Sequence, residues 1–454
     1  MALLSRDERL VRISKFRRER LALVLGAALL AVKWTAQDLN REAARFFGRP
    51  HRRAKRRLIR ELMQSLPGAY PPSPGWLLDW LLSSEHFASL CSGLPLAQPT
   101  PSVTLASAAF APLPALSELD IPQLRTAGDL ADWLYITPGE LDWFADSRHQ
   151  HARCAIPILQ HYSYAFVARR SGFPRLIEAP KPRLRAVQRR ILHEILDLLP
   201  AHPGAHGFVR GRSCLTGAQI HAGEGVVITM DLRNFFATVA LPRVHAIFRC
   251  LGYPWAVAKL LTGLCTTATP ASVFARPEGQ AYDHPTRKRY EMPHLAQGAP
   301  TSPALANLTA WNLDVRLAAL ARRFDANYTR YADDLAFSGA DALAARLEHF
   351  RDMVAAIVHD EGFSLNSGKT RIMRSSARQQ ITGLVVNEHV NVPRRAHDEL
   401  KAILHNCVRF GPQEQNRRGL DDFRAHLDGR VSWVEAVNPK RGAWLRQAFN
   451  AIRW

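Results

Sequence analysis

Apolar residues recur at helical spacing through the first part of the chain. Leu58–Leu66 has this spacing, and Asp38-Leu39-Asn40 is typical of the start of another helix. The uncharged run Leu21–Val32 predicts a buried helix, because its twelve residues are too few to cross a bilayer, which needs about 20. We therefore expect residues 1 to about 90 to form a helical region, and we expect no membrane partner.

The pattern changes twice after that region. Residues 95–114 are rich in Pro, Ser and Ala without periodicity, which predicts a linker, and Leu119–Ala145 predicts a short helical unit. From about residue 155, strand-like and helix-like runs alternate, and from Ala396 the pattern is helical with a basic surface. The long second part therefore has the pattern of an α+β domain.

Two strand-like runs in this part carry carboxylates. The apolar run Val226–Met230 is followed by Asp231, and the alternating stretch Tyr328–Ser338 contains Asp333 and Asp334 in the pattern of a tight β-hairpin. A lone aspartate at a strand end more often caps a turn. Two carboxylate-bearing strands placed side by side would instead form a site for two divalent cations, and such sites drive in-line phosphoryl or nucleotidyl transfer.

Asp333 and Asp334 are not equivalent in this hairpin. Successive side chains on a strand point to opposite faces, so both aspartates face the metals only if the turn reorients one of them. We predict that Asp333 is a direct metal ligand and that Asp334 is a ligand or a close supporter.

The charge of the chain favours a polyanionic partner. Lys and Arg number 60 against 40 Asp and Glu, a formal charge of +20, although charge alone does not separate RNA from DNA or from an anionic membrane. Residues 1–60 hold 17 Lys or Arg and five Asp or Glu, and the run Arg52–Arg57 either binds a phosphate backbone or is a solvated helix face. The six scattered cysteines predict neither a zinc site nor disulfides, which fits a cytoplasmic protein.

A loop defined by Gly and Pro precedes the helical run Ala304–Ala321. It reads Gln297-Gly298-Ala299-Pro300-Thr301-Ser302-Pro303, and such a loop brings its backbone close to a base pair, with Gln297 and Ser302 as polar contacts. The alternative is an ordinary loop in which Ser302 is the N-cap of the helix, and the two interpretations are compatible.

Three of these motifs, taken in order, resemble the palm motifs of reverse transcriptases. They are Asp231 with Phe235-Phe236, the loop from Gln297-Gly298 to Ser302-Pro303, and Tyr331-Ala332-Asp333-Asp334. Three further segments resemble features of the bacterial retron reverse transcriptases. They are the fingers motif at 205–213, Gly217-Ala218-Gln219-Ile220-His221, and the element 380–387 beyond the palm. The resemblance covers about residues 155–454, but Gly217 stands where retron enzymes carry Asn, and Ile381 where they carry Val.

The resemblance implies an α+β right-hand polymerase fold with fingers, palm and thumb. Residues 116–395 would form the fingers and palm, residues 396–454 a helical thumb, and residues 1–115 a helical, basic N-terminal extension with its linker. It also implies two Mg²⁺ ions, held by Asp231, Asp333 and Asp334.

The resemblance assigns roles to further residues. Phe236 resembles the bulky gate that excludes a ribose 2′-hydroxyl, which requires a turn near Asn234 because strand alternation alone favours Phe235; the alternative is that both rings are core. Lys369 resembles a lysine that protonates departing pyrophosphate, and the alternative is a surface lysine. The incoming triphosphate would be clamped by Arg169, Arg170 and Arg175. Contacts to RNA or to template–primer are expected from Arg210, Arg212, His221, Arg417, Arg418, Lys440 and Arg441.

The implied reaction is RNA-templated DNA synthesis from deoxynucleoside triphosphates. Retron membership further implies a cognate structured non-coding RNA as template and primer, a branched RNA–DNA product, a role in anti-phage defence and a separate effector protein. Three alternatives remain from the sequence: a group II intron-like enzyme, an abortive-infection enzyme, and a non-catalytic RNA-binding subunit on a polymerase scaffold. The complete set of three aspartates disfavours the last.

Overall fold

The chain folds into two compact units in a computed structural model that describes residues 18–19, 21–48, 52–66, 71–92, 110–146, 151, 156–168 and 174–454. Unit 1 comprises Met1–Leu199 and Val239–Leu305, and unit 2 comprises Pro200–Thr238 and Ala306–Trp454. These units differ from the three consecutive segments predicted from the sequence, because the chain passes from one unit to the other three times. The division into fingers, palm and thumb stays a prediction, and most of the predicted linker lies outside the described residues.

The first part of unit 1 is a helical cluster. A helix at 21–30 is followed by helices at Ala36–Phe47, Arg52–Ser65, Pro74–Ser83 and Glu85–Ser92. Leu21, Leu25 and Leu29 lie in the core of this cluster, so the predicted buried helix is confirmed. The helix predicted to start near Asp38 begins at Ala36, because the Thr35 hydroxyl caps it by accepting a hydrogen bond from the Asp38 amide. In the part of the chain that the structure describes, none of the helices combines the length and apolar character needed to span a bilayer.

The rest of unit 1 packs short helices around one hairpin. Strands β1 (Tyr162–Val167) and β2 (Arg175–Pro180) pair antiparallel. The helices are Ala127–Leu134, Pro138–Ala145, Pro182–Glu194, Leu241–Cys250, Trp255–Cys265, Ala271–Phe274, Pro277–Gln280 and His284–Glu291. Short 3₁₀ helices occur at Pro114–Leu116, Pro157–Leu159 and Leu196–Leu198. The predicted helical unit at Leu119–Ala145 is therefore two helices, the first of which begins at Ala127.

Unit 2 is built on a four-stranded antiparallel sheet. Its strands are β3 (Val226–Asp231), β4 (Ala326–Tyr331), β5 (Asp334–Gly339) and β6 (Arg371–Arg374), in the spatial order β4-β5-β3-β6. A small hairpin of β7 (Gln380–Ile381) and β8 (Leu384–Val385) follows the sheet. The helices before the small hairpin are Cys214–Gln219, Phe235–Thr238, Trp311–Arg323, Asp341–Ala344 and Leu347–Asp360, with 3₁₀ helix Ser367–Lys369. Helix Ser302–Thr309 begins in unit 1 and ends in unit 2.

The C-terminal helices of unit 2 share a core with the sheet. They span Arg394–Phe410, Phe423–Val437 and Pro439–Asn450, with a 3₁₀ turn at Gln413–Gln415. Buried residues of these helices, among them Leu404, Val431 and Leu445, pack in one cluster with Val227 of β3 and Ala336 of β5. The predicted C-terminal helical region is confirmed, and its boundary at residue 396 falls inside the first of these helices.

Candidate active site

The two carboxylate-bearing strands are neighbours, as the sequence predicted. β3 pairs antiparallel with β5, and in that register Asp231 lies directly opposite Asp334. Directly opposed residues of an antiparallel pair project from the same face of the sheet. The structure therefore brings Asp231 and Asp334 together on one face, although the sequence had favoured Asp333 as the direct ligand.

Asp333 lies in the two-residue turn that connects β4 to β5. Tyr331 pairs with Asp334 across this turn, and Ala332 has a positive φ of 56° that lets the chain reverse so tightly. The Asp333 carbonyl accepts a hydrogen bond of 2.8 Å from the amide of Leu232, the residue after Asp231. This bond joins the turn to the end of β3, so the three aspartates lie at the same end of the sheet.

The carboxylates influence one another electrostatically. Loss of water around its carboxyl group, then the charge of Asp333, then that of Asp231, raise the pKa of Asp334 to about 6, against a smaller opposing effect of Lys369. A cation bound beside Asp334 would stabilise its charged form, because it would offset the repulsion from the neighbouring carboxylates.

Lys369 and Asn366 hold the Asp231 carboxylate. The Lys369 ammonium donates a hydrogen bond of 2.7 Å to Asp231 Oδ1, and Asn366 Nδ2 lies 3.3 Å from Oδ2. The Asn366 amide also donates to the Asp231 carbonyl at 2.7 Å. Lys369 is therefore a neighbour of the Asp231 carboxylate rather than an isolated surface lysine. Sequence reasoning missed Asn366, although it lies only three residues before Lys369.

The oxygen ligands at this end of the sheet fit a hard divalent cation. Aspartate oxygens are ligands that Mg²⁺ prefers, and the mutual repulsion of the three carboxylates favours a positive ion between them. Across the described part of the chain, no group of three or more His, Cys, Asp or Glu side chains is already arranged to hold a metal. Lys369 Nζ occupies Asp231 Oδ1, so a cation that binds this oxygen would have to displace the Lys369 ammonium.

A cavity of about 580 Å³ lies beside these residues. Asp231, Asp334 and Lys369 line it, and so does the segment Gln380–Gly383, which was singled out in the sequence. Thr382 and Gly383 both have positive φ, 46° and 87°, as a two-residue hairpin turn requires. The turn between β7 and β8 thus forms part of the wall of this cavity.

The condition for Phe236 to act as a gate is met. β3 ends at Asp231, Asn234 has a φ of 51° in the turn that follows, and a helical turn begins at Phe235. Phe235 is buried in the core, whereas Phe236 is half-buried and its ring centroid lies 6.2 Å from that of Phe208. The gating role itself stays a prediction.

Two residues near the palm motifs that were predicted to contact RNA make structural hydrogen bonds. His221 is completely buried, and its ring nitrogens bond the hydroxyls of Ser338 at 2.7 Å and Thr329 at 2.8 Å, so the prediction that it contacts RNA is wrong. Arg212 Nη1 donates to the carbonyls of His202, Pro203 and Ala205, which fixes its loop and leaves only its other nitrogens for RNA.

The loop at Gln297 belongs to unit 1, where it pairs with β2. The Glu178 amide donates to the Gln297 carbonyl at 2.9 Å, and a Cβ on Gly298, whose φ is 138°, would lie 2.9 Å from the Glu178 carbonyl oxygen. Gln297 is half-buried and Gly298 exposed, so both remain available to a substrate. Ser302 is 1% exposed, so the prediction that its side chain contacts substrate is wrong. It is also the first residue of its helix rather than the N-cap.

The predicted cationic contacts are mostly exposed. Arg175 is exposed at the start of β2, while Arg169 and Arg170 lie outside the described residues. The remaining cations with exposed side chains are Arg210, Arg417, Arg418, Lys440 and Arg441. Exposure leaves them free to reach phosphates, and their roles stay predictions.

Comparison with known proteins gives the family. Residues 168–394 match the family model described as reverse transcriptase (RNA-dependent DNA polymerase). The chain is 40% identical to the retron Mx65 reverse transcriptase of Myxococcus xanthus over 330 residues, 73% of this chain and 72% of that protein. It is 36% identical to the retron Mx162 reverse transcriptase of the same organism over 342 residues, 72% of this chain and 67% of that protein. The retron Ec86 reverse transcriptase of Escherichia coli is 33% identical over 267 residues, 59% of this chain and 72% of that protein. The chain therefore belongs to the retron reverse transcriptases and is an RNA-directed DNA polymerase.

Proposed function

We propose that this polymerase joins nucleotides by a two-metal mechanism at Asp231, Asp333 and Asp334. The observation that carries the proposal is the register of β3 and β5, which sets Asp231 opposite Asp334 with Asp333 in the adjoining turn. Two Mg²⁺ ions bound there would activate the primer hydroxyl and neutralise the triphosphate. Positioning and electrostatics dominate phosphoryl transfer, so each carboxylate is expected to be essential.

The other residues of the site would act around these carboxylates. Lys369 Nζ, now 2.7 Å from Asp231 Oδ1, would turn towards the triphosphate when a cation takes its place and would donate a proton to the departing pyrophosphate. Phe236 would exclude a ribose 2′-hydroxyl. Gln297 and Gly298 would contact the new base pair, and Arg175, with Arg169 and Arg170, would hold the triphosphate.

Substitution of Asp333 by Asn tests the mechanism. We expect DNA synthesis on a primed RNA template to fall to background, because the change removes metal-binding charge, while RNA binding on the same preparation is retained. The matched control is Asp352→Asn, since Asp352 is an exposed aspartate on helix Leu347–Asp360 of the same unit. Synthesis by Asp333→Asn near the wild-type rate would refute the two-metal proposal.

We further propose that the nucleic-acid substrate is a cognate structured RNA that serves as template and primer. The product would be a branched RNA-linked single-stranded DNA that acts in anti-phage defence with a separate effector protein. Support comes from the retron relatives and from the exposed cations on the C-terminal helices. Sequencing the nucleic acid that co-purifies with the protein would test this: a single abundant RNA covalently joined to DNA is the expected result, and heterogeneous cellular RNA would contradict it.

The helix Arg52–Ser65 would supply an RNA-binding surface outside the catalytic region. One side packs Leu58, Ile59 and Leu62 into the helical cluster, so no apolar face of this helix is free to enter a membrane. The other side carries exposed arginines at 52, 53, 56, 57 and 60, and one of them, Arg57, has an acidic neighbour in Glu61 at 3.7 Å. Such a stripe suits a phosphate backbone.

Charge reversal of this stripe separates RNA capture from catalysis. For Arg53→Glu/Arg57→Glu we expect weaker RNA binding and a salt dependence reduced by about 0.7 in log–log slope for each single-strand phosphate that the stripe no longer neutralises. Extension of a generic primed template should persist. The control is Arg322→Glu/Arg323→Glu, an exposed pair at the end of helix Trp311–Arg323. If RNA affinity and salt slope stay unchanged and the two double variants behave alike, the stripe is only a solvated helix face. If a co-purifying protein is lost instead, the stripe binds the effector.

A further inference from the structure

Arg330 is the largest fully buried side chain among the described residues, and its guanidinium lies beneath the catalytic turn. Its Nε and Nη2 donate to the two carboxylate oxygens of Asp314, at 2.7 and 2.6 Å, as a two-pronged ion pair. Asp314 is itself completely buried and also accepts a hydrogen bond of 2.7 Å from the Tyr328 hydroxyl. This pair fixes the plane of the guanidinium.

The remaining side of the guanidinium reaches the turn itself. Arg330 Nη1 donates to the carbonyl of Ala332 at 3.1 Å and to Asn307 Oδ1 at 2.9 Å. The Ala332 carbonyl belongs to the peptide that joins Ala332 to Asp333. The direction of this carbonyl therefore sets where the Asp333 backbone begins.

A second contact restrains the same turn from the side. Asn307 Nδ2 donates to the Gly207 carbonyl at 2.9 Å, and a Cβ added at Gly207 would lie 2.5 Å from the Ala332 amide nitrogen. The loop at Gly207 thus packs directly on the turn, and Asn307 ties that loop to Arg330. Ala332 has to hold a positive φ that alanine adopts rarely, so the turn requires outside support.

A buried ion pair is a poor device for stability alone. Apolar residues of similar volume often stabilise a core at least as well, because two charges lose their hydration on burial. An apolar residue cannot donate to the Ala332 carbonyl, and a lysine ammonium lacks the planar fork that serves four acceptor oxygens at once. The chemistry of Arg330 is therefore matched to orienting the turn.

We propose that Arg330 is a positioning residue of the polymerase reaction. It orients the Ala332–Asp333 peptide and thereby places the metal-binding carboxylates, while Asp314 holds its guanidinium in plane. The inference rests on the proposed two-metal function, because its test measures the binding of a metal ion. It adds Arg330 as a residue on which that function depends although Arg330 touches neither metal nor substrate.

The double variant Arg330→Met/Asp314→Leu tests the proposal without leaving a buried charge unpaired. We expect its urea midpoint to stay near that of the wild type, while kcat falls by about 10²-fold, as a misplacement of about 1 Å produces. The KM for primed template should not change. Mn²⁺ binding, followed by electron paramagnetic resonance without nucleotide, should weaken at least about tenfold, about 1.4 kcal/mol.

Arg316→Met is the matched control. Arg316 lies on the same helix as Asp314, and its guanidinium bonds Asp360 and Glu361 at 2.9 Å each, away from the turn. It should leave kcat and Mn²⁺ affinity unchanged. If the double variant does not fold, Arg330→Lys decides the question, because it keeps a charge for Asp314 but loses the fork, and it should show the same shift in Mn²⁺ affinity.

Wild-type kcat and Mn²⁺ affinity in a folded variant would overturn the proposal. Failure of the two-metal function gives a different result, since the wild-type protein would then neither require a divalent cation nor bind Mn²⁺. Equal losses in the double variant and in Arg316→Met would show general loosening of the unit and would also overturn the proposal.

Discussion

Two buried ion pairs support loops of this polymerase, Asp314–Arg330 in unit 2 and Glu178–His294 in unit 1. Arg330 holds the turn that carries Asp333, and Glu178 belongs to the strand that pairs with the Gln297 loop. In both pairs the two side chains are at most 1% exposed. The pairs differ in their cation, because an arginine keeps its charge at every physiological pH and a histidine does not.

The hydrogen bonds of His294 indicate that it is charged. Nε2 bonds Glu178 Oε2 at 3.0 Å and Nδ1 bonds the Met292 carbonyl at 2.7 Å, and both partners are acceptors, so both ring nitrogens have to donate. Burial by itself lowers the pKa of His294, but the charge of Glu178 and these hydrogen bonds outweigh it and raise the pKa above its ordinary value. The turn that carries Asp333 thus has a support whose charge does not change with pH. The Gln297 loop, which pairs with β2, has a support that titrates.

Asp314→Asn should produce the largest loss of stability. It leaves the Arg330 guanidinium buried without a counter-charge, which costs about 3–5 kcal/mol of unfolding free energy. Urea unfolding of wild type and variant measures this. A loss below about 1 kcal/mol would mean that water or another group reaches the guanidinium, and the contrast between the two pairs would fail.

Glu178→Gln should cost less. His294 is able to lose its proton and then accept a hydrogen bond from the new amide, so only part of the network is lost, about 1–3 kcal/mol. The Thr269 hydroxyl, which donates to Glu178 Oε1 at 2.6 Å, keeps an acceptor in the variant. The same urea experiment applies, and a loss as large as that of Asp314→Asn would show that His294 cannot discharge.

The pH dependence of stability sharpens the same contrast. Because the folded pKa of His294 is raised, its stabilisation is fully present below the unfolded pKa of about 6.5 and is lost as pH rises through the folded value. We expect the difference in unfolding free energy between wild type and Glu178→Gln to shrink above about pH 6.5. Burial raises the pKa values of Tyr162 and Tyr164, so these two phenols near Glu178 stay neutral over this pH range. A constant difference from pH 6 to 9 would contradict a charged His294.

Phe236→Ala should have the smallest effect on stability and a specific effect on selection. Its half-buried ring lies outside both networks, whereas its neighbour Phe235 lies 5.6 Å from the Arg330 guanidinium. Ribonucleotide incorporation should rise because the smaller side chain leaves room for a 2′-hydroxyl, and deoxynucleotide incorporation should be retained. Phe208→Ala, which removes the ring whose centroid lies 6.2 Å from that of Phe236, is the control. Unchanged discrimination in an active variant would assign Phe236 to packing.

Local pattern in the sequence was sufficient for several elements. Val226–Met230 is apolar at every position but Thr229, so it had to be a buried strand, and the Asp231 that follows it had to emerge at the strand end. The same logic placed Leu21–Val32 in a core, because an uncharged run of that length is too short for a bilayer and too apolar for solvent. The order of motifs was also enough to indicate the family.

Contacts between distant residues were decided only by the tertiary structure. Asp334 lies directly opposite Asp231, and the sequence could not show this because strand register is a property of two strands and not of either one. Lys369 bonds Asp231, which lies 138 positions earlier in the chain. The His221 ring bonds hydroxyls on two strands more than a hundred residues away, and these bonds bury it where RNA cannot reach it. Arg330 reads as a polar residue on an alternating strand, and only the helix bearing Asp314 makes its burial possible. Periodicity reports which face of an element is apolar, whereas the partner of a buried charge depends on which elements the fold brings together.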